Sequence, residues 1–225
     1  MATVLIIGDT HAPAMRKGYV DFLKSVADRY GPNRIVHVGD LADWHSLSYH
    51  ERSPALHNPV DERKRALRQV ASLVAAFPKA DWLIGNHDAL THRQAQTAGL
   101  PEDILKSYND MWEVPWRVHE RFSELVIDGV IYAHGEGPGG MYAHGNRAKL
   151  RFRSYVMGHL HANAGVIWHA NPEFRVFGMA VGCGIDHEAL QFAYGMPIAR
   201  KPILGCGVVE DGKRAYFEPW LLKSR

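Results

Sequence analysis

Short apolar runs rich in Val, Ile and Leu alternate with longer stretches whose apolar positions recur at helical spacing. Val4-Leu5-Ile6-Ile7 is continuously apolar, the pattern of a strand covered on both faces. Tyr19-Val20, Leu23 and Val26-Ala27 then recur at helical spacing, and Gly31-Pro32 stops that helix. A second strand is predicted over Arg34–Val38. A second helix over Asp61–Phe77 carries Leu67, Val70, Ala71 and Val74 on one face and stops at Pro78. Trp82–Ile84 makes a third strand, and this βαβαβ start predicts a mainly parallel sheet with right-handed connections.

The second half reads as further strands. Glu124–Ile127 and Val130–Ala133 flank an Asp128-Gly129 turn, a hairpin signal. Tyr155–Met157, Gly165–His169, Phe174–Phe177, Ile203–Val209 and Arg214–Phe217 follow, with helices near Leu100–Tyr108 and Tyr142–Phe152. The chain carries no internal repeat, low-complexity tract or separating linker. Residues 1–225 are therefore expected to form one domain, an α/β fold of four layers (α/β/β/α) with mixed sheets.

The placement of polar residues changes the picture from fold to chemistry. Asp9 and His11 follow the first strand, and Gly39-Asp40 with Asp43 follows the second. Gly85-Asn86-His87-Asp88 follows the third, His134-Gly135 the fourth, and Gly158-His159-Leu160-His161 the next. Ligands of open α/β sheets bind outside the carboxyl ends of strands, so five strand ends deliver Asp, His or Asn to one edge.

Composition agrees with a soluble globular chain, 46% hydrophobic and 22% charged. Its 14 histidines beside 2 cysteines point toward metal. Cys183 and Cys206 are expected as free thiols. A formal charge of +2 argues against a dedicated duplex-DNA binder, which shows a basic stripe. No apolar run reaches the roughly 18 residues of a membrane span, and the apolar start lacks a basic leader. A cytoplasmic protein with no membrane association is expected.

These motifs resemble the signature of the calcineurin-like metallophosphoesterases: Asp9-Thr10-His11, Gly39-Asp40-Leu41-Ala42-Asp43, Gly85-Asn86-His87-Asp88, His134 and Gly158-His159-Leu160-His161. The match spans Asp9 to His161. The stretches Asp43–Ser46 and Ala180–His187 more loosely resemble compact, phage-type members. The resemblance implies one metal ion on Asp9, His11, Asp40 and His161, and a second on Asp40, Asn86, His134 and His159, with Asp40 shared. Two divalent ions about 3.5–4 Å apart clamp the attacking and leaving oxygens of phosphoryl transfer, and a water bridging them becomes the nucleophile. Manganese is the first expectation, with iron, zinc or nickel as alternatives.

His87 is expected to protonate the leaving oxygen, with Asp88 holding its ring. Asp43 either orients a ligand histidine or caps the next segment. His45, His50 and His57 lie in the Trp44–Pro59 stretch, which is expected to overhang the metals, and His45 is a candidate substrate contact. Arg93 either pairs with a phosphate oxygen or is a solvated helix residue. His144, Asn146, Arg147 and Lys149 form a second candidate contact region. His37 reads as a satisfied sheet histidine, and His119, His169 and His187 as surface residues. The expected activity is a dinuclear phosphoesterase acting on a phosphomonoester or phosphodiester, its partner a phosphorylated small molecule or short nucleic acid, without an obligate protein partner. A single-strand nuclease of the same fold is the nearest alternative, and a non-catalytic metal-binding interaction scaffold is the alternative from another class.

Overall fold

Alternation along strand β1 (Thr3–Ile7) sets the layers. Leu5 and Ile7 face helices α1 (Tyr19–Tyr30) and α2 (Pro59–Ala76), packing with Tyr19, Leu23, Val26, Val70 and Leu73. Val4 and Ile6 face the opposite way and join a core with residues of a second sheet, among them Tyr132, Val156, Phe177 and Met179. Burial on both faces is what the continuous apolar run demanded. The computed structural model describes residues 1–49, 58–137, 139–189 and 201–221.

Both helices have sequence-encoded ends. Gly31, at φ 58°, closes α1 by donating its N–H to the Ala27 carbonyl. The Asn58 side chain caps α2 by accepting from the Val60 and Asp61 amides, and proline opens the first turn.

The first sheet runs in the order β11-β10-β1-β2-β3-β4. It comprises β2 (Arg34–His37), β3 (Asp81–Leu83), β4 (Arg117–His119), β10 (Gly205–Glu210) and β11 (Arg214–Pro219) beside β1. Strands β1 to β4 are mutually parallel, and β10 and β11 are antiparallel additions. The second sheet contains β5 (Leu125–Ile127), β6 (Val130–Ala133), β7 (Tyr155–Met157), β8 (Ala164–Ala170) and β9 (Arg175–Val181). Its order is β5-β6-β7-β9-β8, with β6, β7 and β9 parallel. Helix α5 (Ala143–Arg151) covers its outer face through Ala143 and Ala148. The result is the expected α/β/β/α order with two mixed sheets, and no described helix is long and apolar enough to cross a membrane.

The expected helix over Leu100–Tyr108 is not formed. Helix α3 (Leu90–Thr97) ends before it, Gly99 sits at φ 70°, and Pro101 leads only into a short 3₁₀ turn at Glu102–Ile104. Ser107 then starts α4 (Tyr108–Trp112) by accepting from the Asp110 amide. The strand expected at Phe174–Phe177 extends instead over β9, to Val181. Edge strand β4 has too few residues to declare itself by alternation.

Candidate metal centre

The ends of β1, β2, β3, β6 and β7 converge, and the loops leaving them are stitched together by backbone bonds. His11 and Ala12 donate to the carbonyls of Asp40 and Leu41, and Asp9 donates to that of Gly39. Asp9, His11, Asp40 and His159 all adopt positive φ, between 47° and 65°. Such left-handed backbone at non-glycine residues costs about 1–3 kcal/mol each and concentrates at functional sites. Two glycines make room for this crowding. At Gly39, φ 104°, a Cβ would press on the His134 ring, and at Gly85 it would overlap the Asp40 carboxylate.

Asp40 lies at the middle. Its Oδ2 is 3.6 Å from His11 Nε2 and 3.3 Å from His134 Nε2, while its Oδ1 accepts the His87 amide at 2.8 Å. On one side, His161 Nε2 lies 3.2 Å from Asp9 Oδ1 and 3.1 Å from His11 Nε2. The Asp9 carboxylate also accepts the His159 amide, at 2.9 and 3.0 Å. On the other side, His134 Nε2 is 2.8 Å from Asn86 Oδ1, and the His134 and His159 rings are 5.0 Å apart. Ligand atoms of Asp9, His11, Asp40 and His161 lie within 4.8 Å of one another, as do those of Asp40, His134 and His159.

The charges show what the cluster lacks. Asp9 and Asp40 are buried, and among the described residues their ion pairs are all with histidines. Burial pushes the Asp40 carboxyl up, but His134 and His87 outweigh it and hold it well below the usual range. Burial likewise opposes charge on His134, yet Asp40 holds its pKa up at about 10. Buried carboxylates that draw protons onto their neighbours are ready to accept a cation in the protons' place.

The donor geometry fits a metal. His134 Nδ1 donates to the Val38 carbonyl at 2.9 Å, which in the neutral ring leaves Nε2 as an acceptor facing the Asn86 amide oxygen. A proton on Nε2 satisfies this contact, and a cation shared by the two acceptors would satisfy it in the proton's place. Imidazole and carboxylate donors without thiolate suit manganese, iron, zinc or nickel.

Asp43 lies beneath these ligands. Its Oδ1 is 2.7 Å from His11 Nδ1, which orients that ring and leaves Nε2 facing the cluster. His87 donates from Nδ1 to the Asp43 backbone carbonyl at 2.7 Å and lies 3.4 Å from Asp43 Oδ1. Burial opposes charge on His87, but Asp40 and Asp43 outweigh it and raise its pKa. A third group that brings ligand atoms together, His11, Asp43 and His87, is explained by these hydrogen bonds.

The expected contact of Asp88 with the His87 ring is not made. The Asp88 carboxylate accepts from the amides of Gly85 and Ala42 at 3.0 and 3.2 Å and from the Trp82 indole at 3.3 Å, tying the β2 and β3 loops together. Consecutive side chains in a helical turn do not face one another, which separates Asp88 from the ring beside it in sequence. Its carboxyl is pushed up to about 7, by burial first and by Asp40 second.

His45 is buried, and its amide and that of Ser46 donate to Glu62 at 2.7 and 2.9 Å. Glu62 went unnoticed in sequence although it stands on the inward face of α2. Arg93 lies on α3 with its guanidinium 5.0 Å from the Tyr49 ring centre. His50 and His57 lie outside the described residues. His37 is satisfied within its sheet, accepting from Gly39 and bonding Thr10 Oγ1, both at 3.2 Å. His119 is not a free surface residue, because its Nε2 bonds Asp81 at 2.8 Å. Cys183 and Cys206 are buried, free thiols.

The model of the calcineurin-like phosphoesterase family matches residues 2–177. Among solved structures, the chain is similar to Yfce, a phosphoesterase from E. coli, at 12% identity over 92% of this chain and 88% of that one, with a TM-score of 0.44. It is also similar to a metallophosphoesterase from Sphaerobacter thermophilus, at 17% identity, 99% and 90% coverage and a TM-score of 0.46. A third, the nuclease MPE of Pseudomonas putida, shares 14% identity over 96% and 87%, with a TM-score of 0.35. No curated protein matches the chain.

Proposed function

The chain belongs to the calcineurin-like phosphoesterase family, and we propose that it hydrolyses a phosphomonoester or phosphodiester P–O bond using two divalent ions, manganese foremost. Asp9, His11, Asp40 and His161 would hold one ion, and Asp40, Asn86, His134 and His159 the other. The observation that carries this reading is that both groups of ligand atoms meet at Asp40, whose Oδ2 stands between His11 and His134. Bound there, divalent ions supply the charge that polarises a phosphoryl oxygen and the acidity that ionises water near neutral pH.

The chain's own residues orient and move protons around that charge. Asp43 holds His11 in the tautomer that directs Nε2 inward. Amides of His87 and His159 fix the Asp40 and Asp9 carboxylates, so neither rotates out of place. His87, with Nδ1 committed to the Asp43 carbonyl, keeps Nε2 for proton transfer to the leaving oxygen. Asp88 acts on the loop that carries His87 and Asn86.

The deciding experiment offers the chelated protein, with and without added manganese, mono-aryl and bis-aryl phosphates, cyclic nucleotides and single-stranded oligonucleotides, and counts metal by elemental analysis. Manganese-dependent hydrolysis with two ions per chain is the expected result, and the preferred ester identifies phosphatase, phosphodiesterase or nuclease. Turnover that survives chelation, or metal binding without any hydrolysis, overturns the reading.

A further inference from the structure

Beside His134, away from Asp40, lies a cavity of about 210 Å³. Ile84 and Ala133 contribute apolar surface, Arg147 and Tyr155 line it from the second sheet and its helix, and the wall also includes Phe122 and the two carboxylates Glu124 and Glu136. Arg147 is the unusual member. Its guanidinium donates to the carbonyls of Gly135 and Glu136 at 3.1 and 3.0 Å and reaches the Tyr155 hydroxyl at 3.4 Å. Its buried Nε has no hydrogen-bond partner. Among the described residues it makes no ion pair, because the carboxylates around the cavity are already matched. Arg121 holds Glu136 through two nitrogens, and Arg151 holds Glu124. One positive charge is therefore left uncompensated in a partly buried wall, at an energetic cost that an anion would remove.

The mouth adds a second, independent feature. Phe122 is 72% exposed and is held at φ 67°, with the Arg121 guanidinium 4.4 Å from its ring centre. A large aromatic ring displayed this way offers a face for stacking. The cavity is smaller than the roughly 300–1,000 Å³ of a pocket for a whole ligand, so it takes one substituent of a substrate.

We propose that this cavity is a subsite for the second phosphate of a nucleotide ester, seated against Arg147 with the nucleoside stacked on Phe122. It rests on the reading of the neighbouring centre as a phosphoesterase. The preferred substrate then carries one phosphate at the metals and another one sugar away, on a nucleoside rather than on a small alcohol.

Two esters that differ by one group test this: thymidine 5′-(4-nitrophenyl phosphate) with and without a 3′-phosphate, with bis(4-nitrophenyl) phosphate as reference. The wild-type protein is expected to show a kcat/KM about 10–100-fold higher for the 3′-phosphorylated ester, the range of a charge-assisted hydrogen bond. Arg147→Gln should bring that ratio near one, and Arg147→Lys should keep part of it. Phe122→Ala, a surface change, should lower both nucleoside esters about tenfold relative to the reference. A wild-type ratio of one, or a ratio unchanged in Arg147→Gln, overturns the subsite. If Arg147→Gln fails to fold, the wild-type ratio and the Arg147→Lys and Phe122→Ala proteins still decide it. Failure to hydrolyse these three diesters and 4-nitrophenyl phosphate alike with manganese overturns the phosphoesterase reading instead, whereas cleavage of that monoester alone, or of all three diesters at a ratio of one, overturns only the subsite.

Discussion

Asp43 links the two histidines on which the proposed chemistry turns, through its carboxylate to His11 and its carbonyl to His87. It carries a cost for doing so, since Oδ2 is buried without a partner and burial raises its pKa. Replacing Asp43 with Ala should weaken metal binding by about 10–100-fold, the usual penalty for losing the partner that orients a ligand histidine. Titration of the chelated protein with manganese measures this, and unchanged affinity would show that the carboxylate serves the fold alone. His87 separates cleanly from that effect. His87→Asn should lower kcat by about 10²–10⁴-fold for esters of poor leaving groups while metal content stays constant. The penalty should shrink for 4-nitrophenyl esters, whose leaving oxygen needs little protonation. Loss of metal in this variant would instead make His87 a ligand, in the manner of its grouping with His11 and Asp43.

At the scale of elements, three strands are tied at the end of the sheet remote from the candidate metal centre. Asp81 on β3 accepts from Arg34 on β2 at 2.6 Å and from His119 on β4 at 2.8 Å. Burial raises the Asp81 carboxyl, but the bonds from His119 and Arg34 outweigh it and leave its pKa below 3.8. A depressed carboxyl contributes stability above its unfolded pKa and loses it as pH falls through the folded value. Asp81→Asn should therefore cost about 1–2 kcal/mol in urea unfolding at pH 7. The gap from wild type should close as pH drops below about 3.8, and a gap independent of pH would refute the ionic origin. Strand β4 shows why this tie was not legible in the sequence: Arg117, Val118 and His119 are only three residues, half-buried on an edge. The proposed metal ligands were legible because each follows an apolar run that ends at the same sheet edge. His119 was misread because its partner, Asp81, is distant in sequence, and Asp88 because its donors are two backbone amides and an indole, which no pattern of charged residues announces. The group that holds the His87 ring was not legible either, being a backbone carbonyl 44 positions away that leaves no trace in residue type. The helix expected at Leu100–Tyr108 is replaced by a 3₁₀ turn at Glu102–Ile104, and the next helix starts only at the Ser107 cap, so apolar spacing alone did not locate the helix start.

For the whole molecule, a formal charge of +2 hides a strong local imbalance. Both sheets and their helices bring buried Asp9 and Asp40 to one edge, where only histidines face them among the described residues. Four residues there also hold left-handed backbone. The two cores on either side of β1 supply the stability that tolerates this edge, and a divalent cation held there would remove its electrostatic part. Metal binding is thus linked to folding of the whole chain, because the unfolded chain offers no assembled site. At a free metal concentration 100-fold above Kd, one site adds about 2.7 kcal/mol. A chain of this length shifts its melting temperature by about 2–4 °C per kcal/mol, so each site that manganese fills should raise it by roughly 5–10 °C over the chelated protein. Asp40→Asn removes the carboxylate shared by both ligand groups and should abolish most of that shift. Calorimetry of the two proteins, with chelator and with manganese, makes the comparison. A wild-type melting temperature indifferent to manganese would mean that histidine protons already balance the edge. An Asp40→Asn protein that keeps the full shift would move the metal away from Asp40, and with it the centre of the proposed chemistry.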